Sequence, residues 1–201
     1  MIIVKTRLGL GNQMLQYALG RHLSIKHNTD LFLDTSWYAN NPDLPHPREF
    51  GLDKFRTKYQ LVDFKQLKWR LKFTGHGRKL NPFRLPLVKE KDFYSFDPTI
   101  LETGNNTILE GFFTSYKYFD AIRSQLLQEF MLKETLDKVN ASILHRIRET
   151  NSVSLHIRRG DYASTEYHGI LPAGYYERAI EFIGQKKELC NCLFFLMSRS
   201  G

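Results

Sequence analysis

Charged side chains that could bind an anion lie just beyond one short apolar segment. Residues 152–155 alternate in a way that predicts a buried strand, and this strand leads into a turn that carries His156, Arg158, Arg159 and Asp161. Charged residues at the carboxyl end of a strand lie at the sheet edge where open α/β folds bind ligands. Two arginines beside a histidine are donors suited to a doubly charged diphosphate. This pattern predicts an anion site.

The same residues also fit a surface ion pair between an arginine and Asp161 at a strand end, and the residues alone favour neither interpretation. Gly160 permits a sharp turn of the backbone between Arg159 and Asp161. Asp161 could hold one guanidinium in place or accept a proton. The motif by itself does not specify a reaction.

A second stretch, near the amino terminus, has the pattern of a strand, a turn and a helix. Residues 2–6 are apolar enough for a buried strand, and residues 7–12 form a turn that contains two glycines. Asn12 is placed to cap a helix over residues 13–27. The glycines alone predict no more than a tight turn, since the third glycine of a dinucleotide-binding fingerprint is missing.

Together, Gly-Leu-Gly-Asn-Gln at residues 9–13 and His-Ile-Arg-Arg-Gly-Asp-Tyr at residues 156–162 resemble the α-1,2-fucosyltransferases of glycosyltransferase family 11. The resemblance covers the chain from residue 1 to about residue 197, most clearly in residues 1–35 and 150–180. It implies a glycosyltransferase that moves L-fucose from GDP-fucose to a hydroxyl of a galactoside-type acceptor glycan. It also implies inversion of the anomeric centre and a GT-B-like fold of two Rossmann-like halves.

The resemblance assigns roles to the residues of the arginine motif. Arg158 is expected to be the main phosphate ligand and, with Asp161, a catalytic residue. Arg159 is expected to be a second ligand or the partner of Asp161, and His156 to bond the diphosphate beside Gly160. Asp161 is a candidate general base, although orienting an arginine is the role favoured for it.

The resemblance also places the glycine-rich loop at the cleft between the two halves. There Gly11, Asn12 and Gln13 are expected to lie at the donor site, where amide side chains can meet the diphosphate or the acceptor. The residues alone support only a βα turn at this point.

Neither a metal ion nor a cofactor is expected beyond the donor substrate. No Asp-x-Asp occurs in the chain, so arginine is expected to stabilise the leaving diphosphate where many sugar transferases use a divalent ion. Cys190 and Cys192 are one residue apart, which is awkward for a disulfide and supplies no metal-binding cluster. They are expected to be ordinary strand residues in a reducing compartment.

The net charge of +8 is concentrated in one segment. Residues 65–91 contain nine Lys or Arg and one acid, which leaves 20 basic and 20 acidic residues in the rest of the chain. Such a segment could lie on an anionic membrane or bind nucleic acid, and a solvated basic face is the commoner explanation. The sugar-transferase motifs argue against a nucleic-acid partner.

The partners and the location follow from the same observations. The expected partners are GDP-fucose and an oligosaccharide or lipid-linked glycan. The chain starts directly on a strand and has no apolar run that could span a bilayer. A cytoplasmic protein is therefore expected, with peripheral membrane contact through residues 65–91.

The α/β pattern predicts two domains. Residues 1–150 form an amino-terminal, acceptor-side Rossmann-like domain with an irregular basic insertion at about residues 36–100. Residues 151–201 supply only a strand, a helix and a strand of the donor-binding domain, which is expected to be truncated because such a half usually has five or six strands. Weak GDP binding and an uncovered second strand are expected consequences.

Two alternatives stay open at this stage. One is a transferase for another GDP-6-deoxyhexose, and the other is a non-catalytic remnant that binds a GDP-sugar. The acceptor, the regiochemistry, the general base and the oligomeric state do not follow from the sequence.

Overall fold

The computed structural model of the chain describes residues 1–40, 48–62, 85–158, 170–186 and 191–197. The chain divides into two compact units, Met1–Glu134 and Thr135–Gly201. The sequence suggests a boundary near residue 150, whereas the contacts place the helix Lys138–Glu149 in the second unit. Residues 41–47 and 63–84 of the predicted insertion, which include most of the basic segment 65–91, lie outside the described residues.

A five-stranded sheet with only parallel pairings organises the first unit. The strand order is β3-β2-β1-β5-β4, and β1 lies in the middle because it is the most apolar strand, with Ile2, Ile3 and Val4 fully buried. This arrangement confirms the predicted α/β, Rossmann-like class. The strands are β1 (Ile2–Lys5), β2 (Leu31–Asp34), β3 (Gln60–Val62), β4 (Leu87–Lys89) and β5 (Thr107–Glu110).

The first helix, α1 (Leu10–Lys26), covers the sheet next to β1 and β2. Gly20 lets the helix approach closely, since a Cβ there would lie 2.4 Å from Cγ2 of Val4. The prediction that Asn12 caps a helix starting at Gln13 is wrong. The helix begins at Leu10 after the extended N-cap Gly9, so Asn12 already lies in its first turn.

The reason for the early start is the conformation of Leu8. Leu8 has a left-handed backbone with φ of 65°, and no described glycine has a positive φ. The chain therefore turns before it reaches the glycines, contrary to the predicted glycine-permitted turn. A short helix, α2 (Ser36–Asn40), follows β2.

The segment after β5 also differs from its prediction. Apolar residues recur at helical spacing over residues 116–131, and this spacing predicts one continuous helix there. The structure has two 3₁₀ turns, Tyr116–Tyr118 and Asp120–Ile122, and then the short helix α3 (Arg123–Glu129). Phe119 between the two turns has φ of −141°, which is outside the helical range and interrupts the helix.

The second unit contains the predicted β-α-β pattern. Asp137 caps α4 (Lys138–Glu149) by accepting a hydrogen bond from the backbone N–H of Asn140 at 2.8 Å. The chain continues as β6 (Ser152–Arg158), α5 (Ala173–Lys186) and β7 (Asn191–Met197), and β6 pairs with β7 in parallel. None of the described helices is long and apolar enough to cross a membrane.

Candidate functional site

The topological switch point of the first unit lies between β1 and β5. From β1 the chain continues to β2 and β3 on one side, and it later returns through β4 and β5 on the other side. Open α/β sheets bind ligands in the crevice outside the carboxyl ends of the strands at such a point. The residues that follow β1 and β5, Arg7 and Leu8 with Phe112 and Phe113, therefore mark a candidate site.

A fully buried glutamine joins the two loops of this switch point. The Oε1 atom of Gln16 accepts a hydrogen bond from the backbone N–H of Arg7 at 3.0 Å. Its Nε2 atom donates to the carbonyl oxygen of Gly111, also at 3.0 Å. Both loops are therefore held in place by the same side chain of α1.

A buried carboxylate shapes the loop after β5. Glu90, the first residue after β4, accepts hydrogen bonds from the backbone N–H groups of Phe112 at 2.6 Å and Phe113 at 3.0 Å. Phe113 is buried and has a left-handed φ of 56°, a strained conformation for an aromatic residue. A Cβ on Gly111 would lie 2.6 Å from Cβ of Glu90, so the close approach requires glycine.

Arg7 lies against this loop. The centre of its guanidinium is 4.6 Å from the centroid of the Phe112 ring. The Phe112 ring in turn meets the Phe93 ring edge-on, with 4.8 Å between centroids. The Nε atom of Arg7 is buried and has no hydrogen-bond partner among the described residues.

The other charges at these strand ends are paired. Nζ of Lys5 lies 2.6 Å and Nζ of Lys89 lies 3.2 Å from the carboxylate of Glu110. The hydrogen bond from Lys5 is the main cause that lowers the pKa of Glu110 below its ordinary value, and Lys89 adds to the effect. One carboxylate thus joins β1, β4 and β5 near their carboxyl ends.

The three predicted site residues of the glycine-rich loop lie in different environments. Gly11 is exposed and Asn12 is half-buried. Gln13 is fully buried, donates to the carbonyl oxygens of Leu8 at 3.0 Å and Glu49 at 2.8 Å, and accepts from Gly51 N–H at 2.9 Å. The described contacts of Gln13 are structural, and its binding of the donor stays a prediction.

The glycines of this loop are not explained by the fold. A Cβ built on Gly9 or Gly11 meets no atom within 4 Å, whereas the other described glycine of α1, Gly20, is crowded. Neither packing among the described residues nor a positive φ requires glycine at positions 9 and 11. Open space beside a glycine at a helix start leaves room for close approach of a ligand.

The arginine motif of the second unit is described only in part. The strand β6 continues to Arg158, beyond the four residues predicted for it, so His156 lies on the strand and not in the turn, and it is exposed there. Arg159, Gly160 and Asp161 lie outside the described residues. In the described ranges, no group of three or more His, Cys, Asp or Glu side chains could hold a metal ion.

Two curated proteins from Escherichia coli are similar to the chain. The O-antigen biosynthesis glycosyltransferase WbnK is 31% identical over 201 residues, which cover 87% of this chain and 65% of that protein. An alpha-1,2-colitosyltransferase is 34% identical over 209 residues, which cover 98% of this chain and 69% of the relative. The chain belongs to the α-1,2-fucosyltransferase family of glycosyltransferases.

This fucosyltransferase-family chain spans about two thirds of the length of these relatives, 65% and 69% respectively. No protein-family model matches it, and no solved structure gives a significant match.

Sequence reasoning missed three residues of the switch point in this fucosyltransferase-family chain. Arg7 carries the same signal as Arg158, which is a charge at the end of a buried strand. The predicted role of this loop rests on its glycines and does not include Arg7. Gln16 and Glu90 carry no sequence signal, because their partners are distant along the chain.

Proposed function

We propose that the protein transfers a 6-deoxyhexose from a GDP-linked donor to a hydroxyl of a galactoside-type glycan during O-antigen assembly. The observation that carries this proposal is the 34% identity to an alpha-1,2-colitosyltransferase across 98% of the chain. The O-antigen glycosyltransferase among the relatives supports the same kind of pathway. L-fucose is the first candidate sugar because of the motifs, and colitose is the second because of the relative. The expected linkage is α-1,2.

The proposed chemistry depends on arginine. Negative charge develops on the β-phosphate of the GDP leaving group as the bond to the sugar breaks, and preorganised donors aimed at that oxygen lower the barrier. Arg158, at the end of β6, would bind this phosphate, with Arg159 and His156 as further donors. No divalent ion takes part in the reaction as proposed.

The acceptor hydroxyl would attack the anomeric carbon from the face opposite GDP, which inverts that centre. Asp161 would act as the general base or would orient one of the two arginines. The first unit would form the acceptor side and the second unit the donor side of a GT-B-like enzyme. Since the chain spans about two thirds of its relatives, the proposal concerns the activity of the whole protein.

The test is incubation of the protein with GDP-fucose or GDP-colitose and a panel of galactose-terminated glycans, followed by mass spectrometry of the products. Each donor is tested with and without excess EDTA, and NMR of the product gives the linkage and anomeric configuration. An α-1,2 product that forms equally well in EDTA supports the proposal. GDP binding without any product would favour a non-catalytic GDP-sugar-binding protein, and a requirement for magnesium or manganese would contradict the arginine mechanism.

We also propose that the protein works at the cytoplasmic face of a membrane, close to a lipid-linked acceptor. The support is the charge of residues 65–91, which contain nine basic residues and one acid. Each cation near an anionic surface contributes about 1 kcal/mol at most to the free energy of binding. Sedimentation with anionic vesicles at low salt and release at high salt are expected. Failure of the folded protein to sediment with such vesicles would remove this part of the proposal.

A further inference from the structure

Arg7 is a cation that has a fixed position and no charged partner among the described residues. Its backbone N–H is bound by Gln16, and its guanidinium lies 4.6 Å from the centroid of the Phe112 ring. The side chain makes no ion pair with a described acid, and its buried Nε has no acceptor. A buried donor without an acceptor is costly, so such groups call for an explanation.

The acids at the adjacent strand ends have other partners: Asp34 at the end of β2 accepts a hydrogen bond from the backbone N–H of Ser36 at 3.0 Å. Glu110 is held by Lys5 and Lys89. Glu90 accepts the backbone N–H groups of Phe112 and Phe113, and these bonds occupy both of its oxygens. Neither Glu110 nor Glu90 forms an ion pair with Arg7.

The ring of Phe112 supports the guanidinium of Arg7, which has no acidic partner among the described residues. An aromatic face attracts a guanidinium through cation–π contact and lets the planar group keep its N–H edge for another partner. Phe112 is itself held by Glu90 through its backbone and by Phe93 through its ring. The fold thus places a guanidinium that has no ion-pair partner among the described residues at the switch point, where parallel sheets bind ligands.

We propose that Arg7 binds a phosphate group of a substrate at the switch point of the first unit. This inference rests on the proposed function, because the two sources of such a group would be the diphosphate of the GDP-sugar and a phosphate of a lipid-linked acceptor. A guanidinium binds phosphate through paired, charge-assisted hydrogen bonds, which an uncharged hydroxyl matches poorly. Arg7 belongs to the first unit, whereas the arginine motif of β6 belongs to the second.

The first experiment measures binding of inorganic pyrophosphate to the full chain by calorimetry at low salt. Arg7→Gln is expected to weaken binding by about 10-fold or more, because it removes charge-assisted hydrogen bonds. Arg7→Lys keeps the charge but not the planar fork of the guanidinium. Its affinity for pyrophosphate should lie between those of the wild type and Arg7→Gln. The matched control, Arg123→Gln, removes an exposed arginine of α3 and should change the affinity by less than about twofold.

Two further variants protect this result from misinterpretation. The titrations are repeated on an Arg158→Ala background, so that pyrophosphate bound near β6 does not mask the site at Arg7. Phe112→Leu leaves Arg7 in place but removes its aromatic support, and it should weaken binding less than Arg7→Gln does. If Arg7→Gln fails to fold, as judged by thermal unfolding, Arg7→Lys and Phe112→Leu decide the matter.

The second experiment separates the two sources of phosphate. If the donor is the ligand, Arg7→Gln weakens GDP binding and raises the KM for the GDP-sugar. If the acceptor is the ligand, GDP binding is unchanged, and the KM rises for a phosphate-bearing acceptor but not for an uncharged glycan. Unchanged pyrophosphate binding in Arg7→Gln, or none in the wild type, overturns the inference. Pyrophosphate binding needs no sugar transfer, so this outcome is independent of whether the proposed function holds.

Discussion

At the level of single residues, Arg158 is the side chain on which transfer is expected to depend most. It is the last residue of β6, and the carboxyl ends of strands form the edge where open α/β folds bind ligands. Arg158→Ala should slow transfer by about 100-fold or more, as loss of one donor to a developing oxyanion does. Arg158→Lys should restore little, because a point charge does not replace a bidentate fork.

Turnover of GDP-sugar under saturating donor measures this effect. Arg148→Ala is the control, since Arg148 is exposed on α4 of the same unit. Near-normal turnover of Arg158→Ala would show that another group stabilises the leaving phosphate.

Gln16 is expected to stabilise the fold of the switch point rather than to bind substrate. Gln16→Met keeps the size of the side chain but leaves Arg7 N–H and the carbonyl of Gly111 without their partner. An unsatisfied buried polar group costs about 1–3 kcal/mol, so a loss of unfolding free energy in this range or above is expected in urea titrations. Gln128→Met on the exposed face of α3 is the control, and equal stability of the two variants would contradict the assignment.

At the level of elements, two glycines of α1 are expected to respond in opposite ways to alanine. Gly20→Ala places a methyl group 2.4 Å from Val4 and 2.8 Å from Leu31, and this overpacking should cost about 1–3 kcal/mol of unfolding free energy. Gly11→Ala meets no neighbour within 4 Å, and it should leave stability unchanged or raise it by up to about 1 kcal/mol.

The kinetics of the Gly11→Ala variant test whether the glycine-rich loop binds substrate. If Gly11 lies at the donor site, Gly11→Ala should raise the KM for the GDP-sugar although the protein is as stable as the wild type. A stable Gly11→Ala variant with wild-type kinetics would remove Gly11 from the site. Thermal unfolding and steady-state kinetics on the same preparations give both answers.

The bridge from Glu110 to Lys5 and Lys89 joins three strands and is expected to make part of the stability depend on pH. The folded pKa of Glu110 is lowered from its ordinary value of 4.5, mainly by Lys5. Because the folded pKa is the lower one, the bridge contributes fully above the ordinary pKa, and its contribution is lost as the pH falls through the folded pKa.

Unfolding free energies measured at a series of acidic pH values should therefore fall less steeply for Glu110→Gln than for the wild type. Glu102→Gln is the control, since Glu102 is 82% exposed and its nearest ammonium, of Lys26, is 4.0 Å away. Identical pH profiles for the wild type and Glu110→Gln would mean that the bridge does not contribute.

At the level of the whole molecule, the two units are expected to differ in local stability. The first unit has a buried apolar core on its five-stranded sheet. In the second unit none of the described side chains is buried, and Val139 and Phe182 are exposed on its helices. A two-stranded sheet alone is marginal in water, and opening free energies follow the buried apolar contacts of each region.

Hydrogen exchange read by mass spectrometry should show slow exchange in β1, β2 and β5 and much faster exchange in β6 and β7. Addition of GDP should slow exchange in β6 if the arginine motif binds the donor. Equal protection of both units in the absence of ligand would show that the second unit is stabilised by contacts other than those described.

Local patterns in the sequence were enough for most of the regular elements. The apolar run of β1, the alternation at the start of β6 and the strand-helix-strand pattern of the second unit depend on residues within a few positions of one another. The family also followed from two short motifs of adjacent residues, and the two relatives at 31% and 34% identity confirm it. The sequence by itself therefore determined the fold class, the family and the place of Arg158 at a strand end.

Only the tertiary structure decided how the switch point is built. The start of α1 depends on the left-handed Leu8, whose carbonyl is bound by Gln13 and by the hydroxyl of Tyr38. The ring of Phe112 supports the guanidinium of Arg7, and the carboxylate of Glu90 accepts the backbone N–H of Phe112. Arg7, Glu90 and Phe112 belong to different strand ends and meet only because β1, β5 and β4 are neighbours in the sheet. No local pattern contains such contacts, since each is created by the packing of the sheet that brings the partners together.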